Sequence, residues 1–132
     1  MITRYQIRRG QPLSALDARV QAGQREDTRK HTRHCLRPDA EAVRAFLAAP
    51  ADQIEQAFAT FADNYRTLLA KRLASDPTPF DALAERARSG DVFLGCNCPT
   101  AANPRVDRCH TWLALEFLAQ HYEDLDVQLP AP

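Results

Sequence analysis

The chain has 132 residues, 45% hydrophobic and 8% aromatic, enough for a single domain with its own core and too mixed for a disordered or repeat protein. No apolar run approaches the roughly 20 residues needed to span a bilayer, and Met1–Arg9 lacks the features of a signal peptide, so a cytoplasmic location is expected. The formal net charge of +0 sums two unlike parts: residues 1–37 carry nine basic and three acidic side chains, residues 38–132 eight and fourteen.

Ile2 to Arg8 alternates in polarity and reads as a short strand ended by Gly10-Gln-Pro12. Residues 13–37 are polar and poorly periodic, with Leu13, Leu16 and Val20 marking a turn or two of helix. The run Arg25-Glu-Asp-Thr-Arg-Lys-His-Thr-Arg-His-Cys-Leu-Arg37 reads as a loop or solvated arm, and residues 10–37 together as a basic, mobile segment.

From Pro38 the pattern turns helical. Val43, Phe46 and Leu47 define a short helix ending near Ala49-Pro50. Apolar residues from Ile54 to Leu73 then recur at 3–4-residue steps, one stripe along a long helix. Thr78 as N-cap, Pro79 at the first helical position and Asp81 as capping acid start a further helix that Gly90 closes. Val92-Phe-Leu-Gly-Cys96 is short, apolar and bounded by turn residues, as in a strand of a parallel sheet covered on both faces. The last helix is expected from about Asp107 to Tyr122, and Leu125–Leu129 alternates like a closing strand. This order gives a small helix-rich single α/β domain, residues 1–132, with a short, mainly parallel sheet.

Chemistry concentrates in the cysteines. Cys96-Asn-Cys98-Pro is followed by Cys109-His110, and Cys35 ends a His31-x-x-His34-Cys run. Side chains two apart on a strand face the same way, so Cys96 and Cys98 converge if the strand continues. The loop 99–106 is long enough to return the start of the last helix beside them. Sulfur and imidazole ligands suit zinc or ferrous iron, making Cys96, Cys98, Cys109 and His110 candidate ligands, with Cys35, His34 and His31 as further ones. Adjacent helical residues diverge by about 100°, which sets Cys109 against His110 as simultaneous ligands.

Three other readings stand beside the metal site. Cys109 near a helix N-terminus is a candidate catalytic nucleophile, with a histidine as base; no Cys-x5-Arg phosphate loop accompanies it, since Leu115 follows Cys109 at the sixth position. The basic segment, with Arg29, Lys30, Arg33 and Arg37, together with Arg4, Arg8, Arg9 and Arg25, is a candidate surface for nucleic acid or an acidic protein partner, or a counter-charge to the rest of the chain. The thiols also suit plain core packing, because free cysteine is among the most buried residue types.

The strand ending in Cys96, then Pro99, Cys109-His110 and Leu113-Ala114, preceded by Phe61 and Tyr65 on a helix and by a helix ending at Gly90, resembles a known pattern. It is similar to the C-terminal half of the family known as Domain of Unknown Function 488 and to a related small family with a Cys-x-Cys-Pro and Cys-His signature. The resemblance spans about residues 55–122 and implies a compact α/β fold with the Cys-His pair beside a strand end. Thr111 stands where the larger family commonly has Arg. The resemblance implies no settled activity.

Overall fold

A computed structural model describes residues 1–131. Three strands, β1 (Ile2–Gln6), β2 (Gln24–Asp27) and β3 (Val92–Cys96), form one parallel sheet in the order β1-β3-β2. β3 pairs on one side with β1, Ile2 opposite Val92 and Gln6 opposite Cys96, and on the other with β2, Gln24 opposite Val92 and Asp27 opposite Gly95. Every residue of β3 is buried. A strand enclosed on both faces and both edges has no use for polar side chains, which is why Val-Phe-Leu-Gly-Cys could be read directly.

The helices are α1 (Ala18–Ala22), α2 (Ala40–Leu47), α3 (Ile54–Ser75), α4 (Thr78–Ser89) and α5 (His110–His121). The domain is thus the expected helix-rich α/β type. Asp39 caps α2, its carboxylate accepting the Ala42 N–H at 3.0 Å. α3 buries Phe61, Ala62, Tyr65 and Leu69 on the predicted stripe. Its apolar face meets α2 on one side and α5 on the other. The core gathers Ile2, Leu36, Phe80, Leu83, Leu94, Leu113, Leu115 and Leu118, all almost fully enclosed.

Four local expectations are corrected. α4 begins one residue early, because the Asp76 carboxylate rather than the Thr78 hydroxyl serves its first turn, accepting the Thr78 N–H at 3.2 Å. α5 begins at His110, not Asp107: Val106–Arg108 forms a separate 3-10 turn in which Asp107 is engaged by Arg105 at 2.6 Å, and Cys109 is the N-cap. The segment 25–37 is loop as expected only from Thr28 on, since its first three residues belong to β2, and within that loop Thr28 and Leu36 are fully buried. Leu125–Leu129 contributes a single parallel bridge, Val127 to Ile2. The following Pro130 lacks the N–H a longer ladder would need.

Candidate metal centre

The site is built where β3 ends. The carbonyl of Cys96 accepts the Ile7 N–H at 2.8 Å, so the sheet ladder holds the chain up to its last residue. Beyond it, Arg4 Nη2 donates to the Cys98 carbonyl at 2.6 Å, and Gln6 Nε2 donates to the carbonyls of Asn97 and Pro99. Two side chains of β1 therefore hold the Cys-x-Cys-Pro segment against the sheet. Asn103 ties the returning loop. Buried to 7% exposure, it donates to Cys98 Sγ at 3.4 Å and to the Arg108 carbonyl at 3.0 Å.

Cys109 arrives as the N-cap of α5, in extended backbone with φ −104° and ψ 148°. The sulfurs of Cys96, Cys98 and Cys109 all lie within 4.8 Å of one another. A zinc–sulfur bond of about 2.3 Å in tetrahedral geometry sets sulfurs about 3.8 Å apart, so the three are near ligand spacing without rearrangement of the chain. This cluster can hold a metal ion.

Its electrostatics are those of one shared negative charge. Sulfhydryl donors from Cys96 and then Cys98 hold the Cys109 thiol well below its usual range, against the opposing effect of burial. The same bonds act in reverse on the donors: hydrogen bonding to Cys109, then to Cys98, together with burial pushes Cys96 up, and Cys109 leads in pushing Cys98 up to about 11. A third donor serves Cys109. Arg4 Nε donates to Thr111 Oγ1 at 2.8 Å, and the Thr111 hydroxyl donates to Cys109 Sγ at 3.1 Å. Arg4, a phosphate-contact candidate by sequence, is thus committed to the thiol cluster.

His110 stands beside the sulfur set rather than within it. Its Nε2 is 2.9 Å from Thr28 Oγ1, and the Thr28 hydroxyl donates to the Gly95 carbonyl at 3.0 Å. With that hydrogen spent on Gly95, Thr28 accepts from His110, so Nε2 carries the proton. Nδ1 then faces Cys109 Sγ at 3.8 Å. Cys35 also lies outside the set, its sulfur 3.9 Å from His34 Nδ1, and burial pushes its thiol up to about 11. Both nitrogens of His34 are engaged, Nε2 with Glu26 at 2.7 Å and Nδ1 with the Leu36 N–H at 3.1 Å. His31 is exposed, 3.9 Å from Asp27.

The candidate anion-binding residues are divided. Arg29 is forked onto Asp27 and reaches Asn97 at 3.0 Å. Arg29 and Lys30 line a cavity of about 400 Å³ whose lining also includes Cys96, Cys98 and Cys109. Arg33 and Arg37 line a different concavity, with Lys71 and Arg72. Arg25 is turned onto the carbonyls of Val20 and Gln21.

Arg4, Thr28, Asn103 and Thr111 support the site without having been singled out for it from the sequence. Thr111 adjoins the Cys-His pair and was open to notice. Thr28 and Asn103 reach the site through tertiary folding alone and leave no local pattern.

Fold and site together define a small parallel α/β domain with a tri-cysteine cluster at the carboxyl end of its central strand. No protein-family model, curated protein or solved structure matches the chain.

Proposed function

We propose that Cys96, Cys98 and Cys109 bind a transition-metal ion, zinc or ferrous iron, as three thiolate ligands. The observation that carries this is the mutual approach of three sulfurs, two of them buried, from two separate chain segments. Binding a dication there displaces the protons of Cys96 and Cys98, which the shared charge already crowds onto one cluster. The fourth coordination position faces the adjoining cavity or is taken by His110, whose Nε2–H is anchored on Thr28 as ligating histidines usually are anchored. Three thiolates on a dication leave a net charge of about −1, which suits binding or sulfur chemistry better than activation of water. The site needs reduced thiols and so a reducing compartment such as the cytoplasm. Kinship with the Domain of Unknown Function 488 family is part of this proposal, resting on the strand-end cysteines and the Cys-His helix start.

A second reading has its own observation. Cys109 Sγ collects donors from Cys96, Cys98 and Thr111, an environment that favours a nucleophilic thiolate. Binding of nucleic acid or an acidic partner by the basic segment has less support, because Arg25 and Arg29 are engaged within the chain and the remaining candidates are split among three concavities, Lys30 in one, Arg33 and Arg37 in another, Arg8 and Arg9 in a third.

Elemental analysis of purified protein tests the metal reading. About one zinc or iron per chain is expected, lost in Cys98→Ser and retained in Cys35→Ser. A metal-free wild type of full stability overturns it. Alkylation then separates the second reading: Cys109 in metal-free protein reacts faster than a free cysteine if it is the nucleophile, and slower if burial protects it.

A further inference from the structure

The cavity beside the cysteine cluster has a lining of uneven chemistry. Pro38, Val43, Phe46, Leu47 and Phe61 make the apolar part of it. The lining also includes Arg29, Lys30, His31 and Arg108, and no aspartate or glutamate. Even against the one negative charge of the cysteine cluster, the cations Arg29, Lys30 and Arg108 leave this lining net positive. Arg29 is balanced by Asp27 at 2.7 Å. Among the described residues, Lys30 and Arg108 have no ion pair and no side-chain hydrogen bond, although both border the same space. A volume of about 400 Å³ lies within the range that holds small organic ligands.

We infer that this cavity binds a small organic anion with an apolar body, its acid group between Lys30 and Arg108 and its body against Val43, Phe46 and Phe61. The apolar part of the lining supplies the desolvated surface that gives affinity, and the two uncommitted cations supply orientation. The ligand would lie beside Cys96, Cys98 and Cys109, which line the same space. Sulfonate, carboxylate and phosphate heads share the chemistry required. The inference goes beyond the metal reading and needs no ion for its physics.

The probe is 1-anilinonaphthalene-8-sulfonate, an aromatic body with one anionic group, titrated by fluorescence against the full chain. N-phenyl-1-naphthylamine supplies the same body without charge, and inorganic sulfate the charge without the body. Saturable one-to-one binding of the sulfonate is expected, with the neutral probe about tenfold weaker or more and sulfate a poor competitor. Lys30→Glu combined with Arg108→Glu weakens the sulfonate by about tenfold or more, while Lys71→Glu, an exposed charge reversal outside the cavity, leaves it unchanged. Equal binding of both probes, equal loss in Lys71→Glu, or no saturable binding overturns the inference. Circular dichroism confirms that each variant is folded, and metal content is measured on the same samples. Selective anion binding by metal-free protein would sink the metal reading alone, and metal-loaded protein that ignores the sulfonate would sink this inference alone.

Discussion

Thr28 Oγ1 stands 2.9 Å from His110 Nε2 and passes its own hydrogen to the Gly95 carbonyl, joining the residue just after β2 to the start of α5 through β3. All three groups are enclosed, with Thr28 at 0% exposure. Thr28→Val keeps the shape and removes both bonds, leaving the His110 Nε2–H buried and unpaired at a cost of about 1–3 kcal/mol. Thr28→Ser keeps the hydroxyl and loses one buried methyl, about 0.8 kcal/mol. Urea unfolding of the two variants checks the order, and a valine variant no less stable than the serine one contradicts the arrangement.

Glu26 gives the pH dependence of the fold. Burial pushes its carboxyl up, but hydrogen bonds from His34 and then Arg86, with the Arg86 charge, outweigh burial and hold it at about 2 against the usual 4.5. The folded value lies below the unfolded one, so Glu26 contributes fully above about pH 4.5. That contribution disappears as the pH falls toward 2. Glu26→Gln is expected to cost about 2 kcal/mol at pH 7, the scale of a charge-assisted bond. The difference between wild type and Glu26→Gln should shrink as urea unfolding is repeated from pH 5 downward. A gap that stays constant to acid pH would mean that the ion pairs do not stabilise the fold.

The same residue explains what the sequence hid. β3 and α3 were legible because burial imposes apolar patterns, an unbroken run for the strand and a 3–4-residue stripe for the helix. β2, Gln-Arg-Glu-Asp, has no apolar residue at all. It joins the sheet through backbone bonds, and its inward Glu26 is neutralised by Arg86, sixty residues away, and by His34. Periodicity cannot register a strand stabilised by partners that distant. The thiol cluster was legible for a simpler reason: alternation aims Cys96 and Cys98 together, and the loop returns Cys109. The place of His110 was not, because the helix starts later than Asp107 and Thr28 fixes the ring.

Cobalt substitution distinguishes three sulfur ligands from a mixed set. The metal proposal expects strong sulfur-to-cobalt charge-transfer absorption and tetrahedral d–d bands in cobalt-loaded protein. Cys96→Ser, Cys98→Ser and Cys109→Ser should each lower the charge-transfer intensity, and Cys35→Ser should leave it intact. His110→Gln keeps the sulfur bands in either case. If the fourth ligand comes from the cavity, the d–d pattern is unchanged in that variant; a shifted pattern assigns the fourth position to His110. Unchanged charge-transfer intensity in all three serine variants would remove the sulfur site altogether.

Gly95 sets how closely β1 approaches the strand that carries Cys96. A Cβ there would meet the Ile7 side chain at 2.6 and 2.9 Å and the Tyr5 ring at 2.9 Å. The obstacle is space, not backbone conformation, since Gly10 is the one glycine of positive φ. Ile7 and Tyr5 can yield only by leaving their present packing, an overpacking cost of about 1–3 kcal/mol. The Gly95 carbonyl also accepts the Thr28 N–H and hydroxyl, so a shift of this residue is passed to His110 on one side and to Cys96 on the other. Gly95→Ala should therefore lower stability in urea and lower the metal retained per chain after dialysis. Gly90→Ala, where an added Cβ meets nothing within 4 Å, should change neither. Equal stability and equal metal retention in the two variants would mean that β1 does not constrain the end of β3.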